Sequence, residues 1–172
     1  QGNKFCVYLK DPEIEHALRE LLTNPKVKYC AQNAKFEMSF FRHQFGIELP
    51  NVFDTEVMAR VACTIKKNHM NYKKIRYGLQ ACAERENLTK YKPMLDWLKQ
   101  KGNKAMYHKA PTELIEAYVE QDAWLSWELA RRQIETFRHW DRSSLVPISG
   151  VVKLEVRTTP HLFNMESKGL LV

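Results

Sequence analysis

No C-x-x-C pair occurs among Cys6, Cys30, Cys63 and Cys82, and His16, His43, His69, His108, His139 and His161 contain no i, i+3 or i, i+4 pair. These absences argue against a zinc site and fit reduced thiols in a cytoplasmic setting. No N-terminal stretch reads as a secretory signal, and no apolar run is long enough to cross a bilayer, so no membrane partner is expected. Repeats and low-complexity tracts are also missing. What remains is a chain of 172 residues, 44% of them hydrophobic, enough for one sizeable core with part of a second module attached.

Positive charge is the first feature present in excess. Between Lys66 and Lys109 there are 12 Lys and Arg against three acids, Glu84, Glu86 and Asp96, while the rest of the chain carries 15 basic against 17 acidic residues. Tyr72, Tyr77, Tyr91, Trp97 and Tyr107 are interleaved with these cations. Cations that neutralise phosphates alternating with rings that stack on bases suit single-stranded nucleic acid. A solvated, lysine-rich helix surface is the competing reading of such a run.

Local patterns alternate between strand and helix. "KFCVYL" (4–9) is a short strand, followed by Asp11-Pro12 as N-cap and first helical residue. Ile14, Ala17, Leu18, Leu21 and Leu22 then trace one helical face that ends near Asn24-Pro25. "VKYCA" (27–31) predicts a second strand, Asn33 the cap of the next helix and Gly46 its stop. "NVFDT" (51–55) predicts a third strand leading into a helix from about Glu56 to Ile65. Such alternation implies an α/β domain with parallel or mixed pairing. Short helices are expected at 78–85 and 93–100, and the longest from Thr112 to about Phe137, introduced by Ala110-Pro111.

Two acids stand where periodicity calls for apolar residues. Glu37 lies in "CAQNAKFEMSFFRHQFG" (30–46), where Phe36, Phe40 and His43 form one helical row and Glu37, Phe41 and Phe45 the adjoining one. Asp122 falls within the stripe of Leu114, Tyr118, Leu125 and Leu129. A buried, ionised carboxylate needs a cation or a proton, and neither helix offers an Arg or Lys on the same face. A divalent ion such as Mg²⁺ or Mn²⁺, liganded by oxygen, would satisfy both. For either acid taken singly, a solvated place at a helix rim is the alternative. Tyr118, one turn before Asp122, projects from the same face, where its hydroxyl would hold a water beside the ion.

These residues carry a resemblance. "QNAKFE" (32–37) and "YVEQD" (118–122) resemble the second and third motifs of the 3′–5′ exonuclease domain of family A DNA polymerases, the DEDD superfamily in its tyrosine-containing form. "FGIELPNVFDTEVMARV" (45–61) and "YGLQACAEREN" (77–87) are similar to the segments between them, and "LEVRTTPHLFNMESKGLLV" (154–172) to the entry into the polymerase region. The joint order of the segments is more specific than any one of them. The resemblance implies a ribonuclease H-like, DnaQ-like mixed sheet flanked by helices, with an exonuclease domain over 1–140 and a linker and polymerase start over 141–172.

It implies roles as well. Glu37 and Asp122 are metal ligands and, with Tyr118, which orients the attacking water, the catalytic set; Gln32, Asn33 and Phe36 contact the terminal nucleotides of a single-stranded DNA 3′ end or a primer-template. For Phe36 a core role competes, and Asp54, at a strand-to-helix junction, is expected to cap the helix in preference to ligating metal. Two departures qualify the likeness. Glu37 stands where the family usually has Asp, longer by about 1.5 Å. No D-x-E, the family's first motif, precedes Phe5. The N-terminal strands are thus expected to be incomplete and the chain to be an internal piece of a polymerase, covalently continuous with it and nearly inactive by itself, whose complete domain would use two ions to remove 3′-terminal nucleotides in proofreading. A ribonuclease D-like enzyme acting on RNA and a non-catalytic, exonuclease-like DNA-binding module are the other readings.

Overall fold

The computed structural model describes residues 11–49, 52–65 and 75–169. The strand expected over 4–9 and the basic stretch at 66–74 lie outside these. The first helix, α1 (Pro12–Thr23), starts where its local chemistry places it: Asp11 accepts the Glu13 N–H at 2.9 Å and Pro12 takes the first helical position. Its apolar face turns Leu18 and Leu22 toward a core shared with later elements.

β1 (Tyr29–Ala31) and β2 (Val52–Asp54) run parallel, pairing Tyr29 with Val52, Cys30 with Phe53 and Ala31 with Asp54. A parallel pair needs a crossover, and α2 (Lys35–Phe45) supplies it. Gly46 stops that helix as expected. With φ at 63° it adopts the left-handed conformation, its N–H returning to the Arg42 carbonyl and that of Ile47 to Phe41. Ile47 is thereby driven inward, 2% exposed, beside Met38, Leu49 and Val52.

The start of α2 differs from expectation. Asn33 does not cap it; Asn33 sits at φ 59°, and the carboxylate of Asp54, at the end of the neighbouring strand, accepts the N–H groups of Asn33 (3.1 Å) and Ala34 (2.9 Å). The same carboxylate caps α3 (Thr55–Ile65) through the N–H of Glu56 at 2.8 Å. Asp54 is 3% exposed, so these donors compensate its buried charge and the capping role expected of it holds.

Beyond α3, the helices α4 (Leu79–Arg85) and α5 (Lys92–Lys99) and a 3₁₀ turn at Tyr107–Lys109 precede α6 (Thr112–Ser143), which continues past the expected end at Phe137. Leu129 of α6 packs with Ala59 of α3 and Cys82 of α4. Asp141 receives the N–H groups of Ile148 and Ser149 at 2.5 and 3.2 Å, fixing the entry to α7 (Ser149–Lys168). α7 returns across α2: Phe163, 5% exposed, joins the core of Leu22 and Met38, the Arg42 guanidinium lies 4.3 Å from its ring centre, and Lys35 pairs with Glu166 at 2.6 Å.

The described residues thus form seven helices around a two-stranded parallel sheet, an arrangement compatible with an α/β exonuclease fold. They do not themselves build the larger mixed sheet. None of these helices is long and apolar enough to cross a membrane.

Candidate active site

The carboxyl ends of β1 and β2 deliver Gln32, Asn33, Asp54 and Thr55 to one edge of the sheet, the side on which open α/β folds bind ligands. α6 packs against β1. Gln32 is held in place by two contacts: its amide N–H donates to the Tyr77 carbonyl at 2.6 Å, while its oxygen accepts from the Thr55 hydroxyl at 2.7 Å. Asn33 is exposed beside it. Phe36, in the first turn of α2, is 70% exposed, so its ring is not a core residue. Phe40 follows one turn later, also exposed, edge-on to Phe41 and Phe45.

Glu37 is half-buried on the adjoining face of α2. Burial raises its carboxyl above the usual range, its own main-chain N–H pulls the other way, and the like charge of Asp54 adds to the rise. One of its oxygens, Oε2, is buried without a hydrogen-bond partner.

Asp122 meets a different environment. Lys90, from the loop joining α4 to α5, places its ammonium 3.2 Å from Asp122 Oδ2 and donates to the Tyr118 hydroxyl at 2.9 Å, 4.9 Å from that ring's centre. The partner absent from the helices is therefore supplied by a loop. Desolvation alone would lower the Lys90 pKa, but the hydrogen bond to Tyr118 and the charge of Asp122 outweigh it and the net shift is upward. Tyr118 is raised as well, by burial first, against the opposing hydrogen bond from Lys90. Asp122 Oδ1 remains buried and unpartnered.

The structure joins Tyr118, Asp122 and Lys90 in one triad, and Glu37 to the neighbourhood of Asp54. Among the described residues, no group of three or more His, Cys, Asp and Glu side chains is placed to hold a metal ion. The fit of an ion rests instead on orphaned oxygens: four buried side-chain atoms lack a partner among the described residues, and two of them are Glu37 Oε2 and Asp122 Oδ1. An anionic oxygen shielded from water and without a donor is what an oxygen-seeking cation satisfies. A cavity of about 210 Å³ with Cys63, Cys82, Leu129 and Gln133 among its walls lies elsewhere, between α3, α4 and α6, and contains none of these residues.

Lys90 lies in a loop that obeys no helical period, and its one signal in the sequence is membership of the basic run. A family model described as 3′–5′ exonuclease matches residues 6–132, most of the chain. The chain belongs to this family, the 3′–5′ exonuclease domain of family A DNA polymerases. Exonuclease domains of this kind bind DNA and generally use divalent metal ions. No curated relative matches the chain.

Proposed function

We propose that the chain is the proofreading exonuclease part of a DNA polymerase, removing 3′-terminal nucleotides from DNA with Glu37, Tyr118 and Asp122 as its catalytic residues. The observation that carries this reading is the pair of buried, unpartnered oxygens on the two acids that the motifs single out. Glu37 Oε2 and Asp122 Oδ1 would hold Mg²⁺ or Mn²⁺. Bound there, two ions in the complete domain supply Lewis-acid stabilisation of the attacking and leaving oxygens of an in-line displacement.

The chain's own residues do the rest. Lys90 donates to the Tyr118 oxygen and the Asp122 carboxylate accepts from the phenol, so the two groups together fix where that oxygen meets an incoming water. Asn33 and the exposed ring of Phe36 receive the terminal nucleotide, the ring by stacking on the base. Gln32, tied to Thr55 and to the Tyr77 segment, holds the frayed end with them through its remaining amide N–H. Stacked, paired DNA cannot present its last phosphodiester to such a site, so a frayed single-stranded end is the substrate. The reading includes a ribonuclease H-like mixed sheet completed by strands beyond the described residues, an exonuclease unit over 1–140, a polymerase continuing from 141–172, and a cytoplasmic setting.

The test is degradation of a 5′-labelled single-stranded DNA oligonucleotide in Mg²⁺ by the full-length protein. Stepwise shortening from the 3′ end, reduced at least about 100-fold by Asp122→Ala with polymerisation retained, is the expected result. Equal shortening by the variant removes the assignment of Asp122. Binding without shortening in the unaltered protein identifies a non-catalytic module, and a preference for an RNA oligonucleotide identifies a ribonuclease.

A further inference from the structure

The position of Lys90 has a consequence for the ion itself. The loop that carries it is pinned to α6 on both sides: Arg132 donates to the Glu86 carbonyl at 2.6 Å, and Gln121 donates to the Thr89 carbonyl at 3.1 Å. The ammonium is therefore delivered to α6 by anchored backbone, and its side chain is only 15% exposed. Two of its donors face the Tyr118 hydroxyl and Asp122 Oδ2. A carboxylate offers two oxygens, and one of these is already taken by a cation.

We infer that Lys90 determines how Asp122 takes a divalent ion: the ammonium keeps Oδ2, confines ligation to Oδ1, and opposes the incoming ion with its own charge. The inference rests on the metal-dependent reading above and adds an affinity-setting residue to it. Ion and ammonium share a single negative charge, so each weakens the hold of the other, and in a site this poorly hydrated the repulsion is little screened. Lys90 thus keeps Asp122 oriented and compensated when no ion is bound, and raises the ion concentration the site needs.

The consequence is directional. Removing the ammonium should strengthen ion binding, whereas a variant that merely loosens the fold weakens it. Mn²⁺ binding to the full-length protein, followed by titration calorimetry, reads this without reference to nuclease activity. Lys90→Met and Lys90→Gln, the second retaining a donor for Tyr118, are each expected to bind Mn²⁺ about tenfold more tightly or better, while Lys90→Arg, which keeps the charge, stays near the unaltered protein. Asp122→Asn should bind at least about tenfold more weakly. If Asp122→Asn weakens binding but both neutral Lys90 variants bind no more tightly than the unaltered protein, the role given to Lys90 is overturned and the metal reading stands. If Asp122→Asn binds as well as the unaltered protein, or none of the proteins binds, the metal reading falls and this inference falls with it.

Discussion

Asp54 Oδ1 accepts the main-chain N–H of Asn33 at 3.1 Å across 21 residues of sequence, and the same oxygen accepts that of Glu56 at 2.8 Å. One carboxylate therefore sets where α2 and α3 both begin, and through α2 it sets the height at which Glu37 and Phe36 are presented.

Loss of that carboxylate should cost stability more than a single cap does. Asp54→Ala strands buried donors at two helix starts, and is expected to lower the free energy of unfolding by roughly 2–4 kcal/mol in urea titrations. Asp54→Asn keeps one acceptor oxygen and should lose about half as much. A variant of normal stability that fails only in ion binding would assign Asp54 to the metal instead.

Glu37 should betray a conflict between stability and function. Its carboxyl is raised from the ordinary 4.5, so the proton favours the folded state; the contribution is complete below pH 4.5 and is lost as pH rises through the folded value. At pH 7.5 Glu37→Gln is therefore expected to melt higher than the unaltered protein, a difference that closes below pH 4.5, while losing ion binding. Lower melting of the variant at neutral pH would contradict the burial argument.

Glu128 on α6 predicts the opposite slope. Hydrogen bonds from Arg131, then from Arg132, against the cost of burial, hold its carboxyl down to about 2 from 4.5. Its contribution is present above pH 4.5 and disappears as pH falls toward 2. Glu128→Gln should destabilise at pH 7 by on the order of 2 kcal/mol, allowing for screening at the half-exposed Arg131, and match the unaltered protein near pH 2, as followed by denaturant midpoints.

Phe36 should affect substrate capture without affecting the fold. A ring 70% exposed contributes little to the core, so Phe36→Ala is expected to leave the melting temperature within about 2 °C while raising KM for single-stranded DNA about tenfold, the scale of one lost stacking contact. A large fall in melting temperature with unchanged KM would return the residue to a packing role.

The elements governed by neighbours in sequence were legible. Asp11-Pro12 opens α1 and Gly46 closes α2 because caps and stops act within a few residues. The cap of α2 was not, since Asn33 is a good capping residue by type but takes a left-handed backbone, and the acceptor arrives from another strand. At the site, the periodic positions of Glu37, Tyr118 and Asp122 could be read from their helices. Lys90 could not, because nothing local to 86–91 says that Arg132 and Gln121 tie that loop to α6. The extension of α6 past Phe137 carries Asp141, whose partner, the Ile148 N–H at the entry to α7, lies seven residues further on.

The return of α7 bears on what can be cut away. The stretch recognised as exonuclease closes at residue 132, yet Gln133, Phe137 and Phe163 beyond it are buried, and Phe163 shares the core beneath the helix that carries Glu37. Trimming the gene to the boundary of its kinship would remove the last third of α6 and bare an oily seam along α2.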